Sequence, residues 1–135
     1  MKKGERVEGR GERKNRASQV SDFRELIVWQ KAMLLAQEVY RLTKRFPVDE
    51  RFGLTNQVRR AAVSVSSNIA EGHARMGREF SSFLSIARGS VAEVQSQILL
   101  AVALDFATDD QVAPILDLCE EIRRMTAVLM TKLNR

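Results

Sequence analysis

The chain has 135 residues, of which 44% are hydrophobic and 29% are charged. A chain of this length holds one domain with a single core and is too short for two ordinary domains. No apolar run reaches the roughly 18 residues that cross a bilayer, and charges stand where a signal peptide has its apolar segment, so we expect a cytoplasmic protein with no membrane partner.

The formal net charge of +5 comes mostly from the first twenty residues, which carry seven Lys or Arg and three Glu. This segment has almost no apolar side chains, so it cannot offset the entropy cost of becoming ordered. We therefore predict a disordered basic tail over residues 1–21 and a folded domain over residues 22–135. Two interpretations of the tail stay open: an arm that neutralises phosphates, and a solvated extension or a start codon assigned too early.

Apolar residues at helical spacing predict two helices in the first half of the folded domain. The first has an apolar stripe that ends before Pro47 and consists of Trp29, Ala32, Met33, Ala36, Val39, Tyr40, Thr43 and Phe46. The second begins near Asp49, a suitable N-cap residue, and Gly72 stands where a C′ residue would end the helix.

The second half of the domain also predicts two helices. The third helix runs from about Arg78 to Asp105, which gives a rod of about 40 Å. The fourth opens at Thr108 with a capping box, because the Thr108 and Gln111 side chains can each bond the other residue's backbone amide. Pro114 follows the first turn and removes one backbone hydrogen bond, so we expect a kink or a late start there.

The predicted fold class is all-α, an antiparallel up-down-up-down four-helix bundle, because short connections force successive long helices to lie antiparallel. Six apolar residues lie off the main stripes: Val63, Ile86, Leu99, Leu100, Val128 and Met130. A helix with apolar residues on more than one side needs more than one partner, which predicts further burial between subunits.

Polar residues interrupt the apolar faces of two helices: Asn68 and Glu71 in the second, and Ser90, Glu93 and Gln97 in the third. Asn68 and Glu71 are three residues apart, as are Ser90 and Glu93, so each pair shares one face of its helix, and antiparallel packing can bring the two faces together. We favour a hydrogen-bonded structural layer, with a buried acid pair for catalysis as the alternative. Gly89, next to Ser90, predicts a close approach of another backbone at this point.

Catalytic and metal centres are not expected. His73 is the only histidine and is predicted to lie on an exposed linker after Gly72, so a triad, a di-iron site and a zinc site all lack their ligands. The segment from Gly72 to Glu79 follows a P-loop only in outline, because it lacks the lysine, the Mg²⁺-binding hydroxyl and a preceding strand. Cys119 has apolar neighbours and is predicted to be a small core residue rather than a nucleophile.

Basic residues of the folded domain gather in its first half, where ten face six acidic residues between Phe23 and Phe80, against five and seven between Ser81 and Arg135. The candidate nucleic-acid contacts are Arg41, Lys44, Arg45, Arg59, Arg60, Arg75 and Arg78. Two interpretations stay open: pairing between unlike surfaces of neighbouring subunits, and phosphate contact repeated around a ring. No aromatic residue is expected to interleave these positions as a base-stacking platform.

Several short segments follow one another in a specific order: Phe23-Arg24-Glu25-Leu26, Val28-Trp29-Gln30-Lys31-Ala32, Phe46-Pro47, Gln57-Val58-Arg59-Arg60-Ala61-Ala62, Ser67-Asn68-Ile69-Ala70-Glu71-Gly72, Phe83-Leu84 and Gly89-Ser90-Val91-Ala92-Glu93. Together they resemble the family of the 23S rRNA intervening-sequence protein, which includes the accessory variability determinants of diversity-generating retroelements. The resemblance covers about residues 23–133. It implies an antiparallel four-helix protomer that assembles into a homopentameric barrel with a central pore and has no assigned catalytic activity.

For the retroelement branch, the resemblance further implies a basic surface that binds nucleic acid and a partnership with a reverse transcriptase. We therefore expect a non-enzymatic, homo-oligomeric interaction module that needs no cofactor. Its partners are further copies of itself and, if the ring serves as a scaffold, another protein. The alternative is an accessory protein that binds RNA or DNA without sequence preference and partners a reverse transcriptase.

Overall fold

The structure is a computed structural model, and it describes residues 22–134; the predicted basic tail lies outside the described residues. It contains four α-helices: α1 (Ile27–Thr43), α2 (Leu54–Arg75), α3 (Gly77–Ala103) and α4 (Asp109–Leu133). Two short 3₁₀ helices, Phe23–Glu25 and Val48–Glu50, precede α1 and α2. Residues 22–134 contain no strand, so the prediction of an all-α fold is confirmed.

The helices form an antiparallel up-down-up-down bundle, as predicted. Each helix packs against the next in the chain, and α4 closes the bundle against α1. The α2–α3 interface is the most extensive, and Met76 alone connects these two long helices, which run side by side. The α1–α2 and α3–α4 connections consequently lie at the same end of the bundle, along opposite edges.

One hydrophobic core runs through the centre of the bundle. Its largest fully buried side chains come from all four helices and include Leu35, Val58, Ile69, Leu84, Ile98, Ile115 and Ile122. Full burial of such a side chain contributes about 1.5–3 kcal/mol, so this core is the main source of the stability of the fold.

The apolar stripe predicted for the first helix is partly wrong. Met33 and Tyr40 are exposed, whereas the core side of α1 is formed by Val28, Ala32, Leu35, Val39 and Leu42. Helix α1 has apolar residues around most of its circumference, so helical spacing alone permits two different stripes. Packing against α2 and α4 decides which one becomes the core.

Helix α2 does not end at Gly72, as the sequence predicted, but continues to Arg75. Gly72 is required for a different reason: a Cβ atom at this position would lie 2.6 Å from the Phe83 Cβ and 3.2 Å from the Phe80 backbone oxygen. The predicted close approach at Gly89 is also wrong, because Gly89 is exposed and has open space around its Cα. The close contact between α2 and α3 is therefore at Gly72, near the hairpin turn.

The predicted N-cap at Asp49 is replaced by a different arrangement. Asp49 lies inside the 3₁₀ helix, and α2 begins later, at Leu54. Glu50 Oε1 accepts a hydrogen bond of 2.9 Å from the Leu54 backbone amide. A carboxylate side chain thus satisfies a free N–H group at the start of α2, where the helix dipole also favours negative charge.

The capping box at the start of α4 is confirmed. The Thr108 hydroxyl accepts from the Gln111 amide at 3.2 Å, and the Gln111 side chain accepts from the Thr108 amide at 3.0 Å. Helix α4 is one continuous segment that includes Pro114, so the expected late start does not occur. The capping box holds the first turn in place despite the hydrogen bond that proline removes.

Candidate interaction surfaces

A polar seam joins α2 and α3 along one outer side of the bundle. Ser90 Oγ donates to Ser64 Oγ at 2.9 Å across the two helices. Asn68 Nδ2 donates to the Ser64 backbone oxygen at 2.8 Å and to Ser64 Oγ at 2.9 Å. The structure therefore brings the predicted residues Asn68 and Ser90 together through Ser64, which the predicted set did not include.

The two acidic residues of the predicted layer are not part of this seam. Glu71 is exposed and pairs with Arg75 of its own helix at 3.1 Å. Glu93 is also exposed on α3. A carboxylate taken out of water needs a compensating partner, and the seam offers only small neutral groups, so both side chains stay at the surface. A buried acid pair for catalysis is therefore not formed by these residues.

The seam continues toward the ends of α2 and α3 that are distant from Met76. Gln97 Nε2 donates to Gln57 Oε1 at 3.4 Å, a long and weak hydrogen bond. Within the described residues, Gln97 Oε1 is buried and has no hydrogen-bond partner. Gln97 was predicted to interrupt the apolar face of the third helix together with Ser90 and Glu93, whereas Gln57 was not predicted. The spacing of Gln57 and Ser64, two turns apart on α2, is the signal that could have identified Gln57.

His73 is not on an exposed linker, as predicted, but in the last turns of α2, where it is 8% exposed. Its ring packs edge-on against Phe80 of α3, with 5.6 Å between ring centroids. His73 is thus part of the packed end of the bundle. Hydrogen bonds from the side chain and backbone amide of Arg24 lower the pKa of Asp22 to about 2.

Cys119 is fully buried, as predicted for a core residue. Burial raises the pKa of its thiol to about 12, with a further contribution from the negative charge of Glu120. The thiolate is the nucleophilic form of cysteine, so this side chain is unsuited to nucleophilic chemistry near neutral pH. Residues 22–134 also contain no group of three or more His, Cys, Asp or Glu that could hold a metal ion.

The seven basic candidates form two groups at opposite ends of the bundle rather than one surface. Arg75 and Arg78 flank the α2–α3 turn, whereas the other five lie near the α1–α2 connection: Arg41, Lys44, Arg45, Arg59 and Arg60. A nucleic acid that contacts both groups has to extend along the whole length of the helices, which is about 30 Å for α2.

Three of the seven basic residues are engaged within the protein. Arg41 pairs with Glu38 at 2.6 Å, and Arg75 pairs with Glu71 and Glu79. Arg59 Nε donates to Thr43 Oγ1 at 2.8 Å, and its guanidinium lies 4.5 Å from the centre of the Tyr40 ring. The other four are exposed and make no ion pair within residues 22–134: Lys44, Arg45, Arg60 and Arg78.

An exposed aromatic residue accompanies the basic residues at the α1–α2 connection. Phe52 is 84% exposed, and the guanidinium of Arg51 lies 5.1 Å from the centre of its ring. The expectation that no aromatic interleaves the basic positions is therefore wrong at this end, where Lys44 and Arg45 are also exposed. Phe52 was not among the residues singled out from the sequence.

The opposite edge of the same end is acidic. The α3–α4 connection and the first turn of α4 expose Asp105, Asp109 and Asp110. The α1–α2 connection exposes Lys44, Arg45 and Arg51, which outnumber its one exposed acidic residue, Asp49. This end of the bundle therefore carries positive charge along one edge and negative charge along the other.

Large apolar side chains are exposed on all four helices. Five of the six predicted off-stripe residues are exposed: Val63, Ile86, Leu99, Leu100 and Val128. Met130 is the exception, because it is partly buried against the core. Ile27 and Leu34 of α1 are exposed as well, although the sequence did not single them out. Among the described residues, no helix is both long enough and apolar enough to cross a membrane.

The chain is similar to a known protein family. The model of the 23S rRNA-intervening sequence protein family matches residues 24–128, which include α1, α2, α3 and most of α4. No curated protein matches the chain. The family match covers well over half of the sequence, and the chain belongs to the 23S rRNA-intervening sequence protein family.

Proposed function

We propose that this chain is a cytoplasmic, non-enzymatic protein that assembles into a homo-oligomer, a pentameric ring, and acts as an interaction module. The observation that carries the proposal is the exposure of large apolar side chains on every helix, including Leu99 and Leu100 of α3 and Val128 of α4. Burial of these side chains between copies would remove their apolar surface from water, which favours association.

The charge distribution supports pairing of unlike surfaces between copies. Two parallel bundles placed side by side bring the acidic α3–α4 edge of one copy next to the basic α1–α2 edge of the other. Such a head-to-tail contact is heterologous, and a heterologous contact closes into a ring when the rotation between copies permits it. The choice of five copies rests on the resemblance to the intervening-sequence family and not on the surface itself.

The assembly is tested by measuring the mass of the full-length protein with light scattering behind a sizing column. A pentamer of 15.3 kDa chains has a mass of about 75 kDa. A single species of this mass at micromolar concentration is the expected result. A monomer at that concentration contradicts the proposal, and a stable ring of another size contradicts only its five-fold symmetry.

We propose nucleic-acid binding as the second candidate function, with a reverse transcriptase as the protein partner, as in the retroelement accessory proteins that the sequence resembles. The observation in favour is the exposed Phe52 ring beside Arg51, in a connection that also exposes Lys44 and Arg45. Basic side chains contact phosphates, and an exposed ring can stack on a base without reading its identity. Repetition of this surface around a ring would strengthen the binding by avidity.

A further inference from the structure

Met76 connects α2 and α3 through a strained backbone. Its dihedral angles are φ 64° and ψ 173°, a combination that is essentially restricted to glycine, and Gly77 also has a positive φ of 58°. A helical conformation at Met76 would remove this strain and would join α2 to α3 in a straight line. The tight hairpin is therefore kept closed by the packing of the two helices and not by the conformational preference of the turn.

The contacts between α2 and α3 are arranged symmetrically about Gly77. Ser64 and Ser90 form a hydrogen bond and lie equally far from Gly77 in sequence, and the same is true of Gln57 and Gln97. Two straight α2–α3 helices from different chains, crossed antiparallel at Gly77, would therefore keep the same register. Ser64 of each chain would meet Ser90 of the other, as it does within the hairpin.

The charged residues around the turn also fit a continuous helix. Glu71, Arg75 and Glu79 are spaced four residues apart, and Arg75 pairs with both carboxylates, at 3.1 Å and 3.5 Å. Residues four apart are neighbours on a helix, so these ion pairs survive when the turn straightens. Apart from Gly77, the residues from Ala74 to Glu79 have good helix propensity.

We propose that Met76 is a hinge through which two copies of this chain exchange helices. In the exchanged dimer, residues 54–103 form one helix of about 75 Å, and the α1–α2 half of each chain packs against the α3–α4 half of the other. Every core contact is kept, but it is made between chains, while the strain at Met76 is released. A short, strained connection is the feature that favours such an exchange.

This exchange is independent of the side-by-side ring proposed above, because it uses the core of the bundle and not its exposed surface. It is detected by introducing the pair Gln57→Cys and Gln97→Cys into the full chain. The protein is unfolded, refolded at low and at high concentration under reducing conditions, and then treated with a short bifunctional thiol reagent. Cys119 can stay in place, because it is buried and its thiol is held protonated.

A denaturing gel then separates the two arrangements. In a closed hairpin the linked positions belong to one chain, so a monomer band results whether or not the subunits form a ring. In an exchanged dimer the link joins two chains and gives a covalent dimer. We expect the dimer band to grow with the protein concentration during refolding.

Three variants test the role of the hinge. Met76→Gly permits the observed φ and ψ without strain, so the dimer fraction should fall about tenfold. Gly77→Ala disfavours the positive φ and strengthens a continuous helix, so the fraction should rise about tenfold. Gly89→Ala is the matched control, because it makes the same change in an exposed part of α3 with open space around it.

The hinge proposal is overturned by either of two results. The first is a link that stays within single chains in all variants and at all refolding concentrations. The second is an equal response of the dimer fraction to Gly77→Ala and Gly89→Ala, because that would attribute the effect to helix propensity and not to the turn. If Gly77→Ala does not fold, the dimer fraction of Met76→Gly tests the hinge on its own. The cross-linking results do not depend on whether the protein forms a ring.

Discussion

Ser64 and Ser90 are joined by a hydrogen bond of 2.9 Å between their side-chain oxygens, and this contact connects α2 to α3 near the middle of their interface. Asn68 donates to the same serine, so one hydroxyl serves as acceptor for two residues. Small hydroxyl groups at this position let the helices lie close together and still satisfy each polar group. The seam thereby contributes to the axial register of the two helices.

We predict that Ser64→Ala and Ser90→Ala each destabilise the protein by about 1–2 kcal/mol. Ser64→Ala leaves the buried Ser90 hydroxyl without its partner, and Ser90→Ala removes the donor that α3 supplies to Ser64. The double variant should cost less than the sum of the two, since the shared hydrogen bond is lost only once. Urea unfolding of the unmodified protein, the two single variants and the double variant gives the coupling free energy between the two serines. Glu93→Ala is the control and should change stability by less than about 0.5 kcal/mol. Additive losses would show that the two serines do not interact.

Alanine substitutions at two glycines should have opposite effects. Gly72→Ala places a Cβ atom 2.6 Å from the Phe83 Cβ, so the helices must separate, at a cost of about 1–3 kcal/mol. Gly89→Ala adds a methyl group in open space within a helix and should stabilise the protein by about 0.5–1 kcal/mol. Thermal unfolding measures both. A loss of stability in both variants would mean that α3 also has a neighbour at Gly89.

Reversing the charge of either edge should weaken the assembly. Replacing Lys44 and Arg45 by Glu, or Asp109 and Asp110 by Lys, puts like charges together between neighbouring copies. A variant that carries both sets of changes should assemble again, because the edges are then complementary with opposite sign. Sizing with light scattering at low and high salt measures this, and urea unfolding controls for damage to the fold. Equal assembly of all variants would exclude these edges from the interface.

Nucleic-acid binding, if it uses the exposed ring and its basic neighbours, should depend on Phe52 and on Lys44 and Arg45. Phe52→Ala should weaken binding of single-stranded RNA by about 1–3 kcal/mol, and Lys44→Ala with Arg45→Ala should lower the salt dependence. Arg78→Ala, at the other end of the bundle, is the matched control. Filter binding from 50 to 200 mM salt measures each variant against one RNA and one duplex DNA.

Deletion of residues 1–20 tests the basic tail in the same assay. The tail carries seven basic and three acidic residues, so its removal should lower the slope of affinity against salt. In a ring the effect should be large, because several tails act on one ligand. If neither the full-length nor the truncated protein binds RNA or DNA at low salt, nucleic acid is excluded as a ligand. A protein partner is then the main candidate.

Cys119 should react with thiol reagents only when the protein unfolds. Burial raises the pKa of its thiol from 9.0 to about 12, so the thiolate is disfavoured in the folded state at pH 8. Because the pKa is higher in the folded state than in the unfolded state, the contribution of Cys119 to stability is complete below pH 9. This contribution is lost as the pH rises from 9 toward 12. Labelling rates with and without urea check this, and rapid labelling of the native protein would contradict the burial.

The sequence by itself determined the fold class, because helical spacing, the capping box at Thr108 and short connections are local properties of the chain. It also identified Cys119 as a core residue and five of the exposed apolar side chains, since residues that lie off the main stripe of a helix cannot all face one core. These predictions needed only the angle between residues on the same helix.

Only the tertiary structure decided how the helices face one another. Helical spacing gives the relative angle of residues within a helix but neither the rotation of that helix against the core nor its axial register with a neighbour. For this reason the sequence placed Met33 and Tyr40 on the core side of α1, expected the close approach at Gly89 instead of Gly72, and put His73 outside α2. The partner of Asn68 and Ser90 was hidden for the same reason, because Ser64 joins them only when α2 and α3 pack in one particular register.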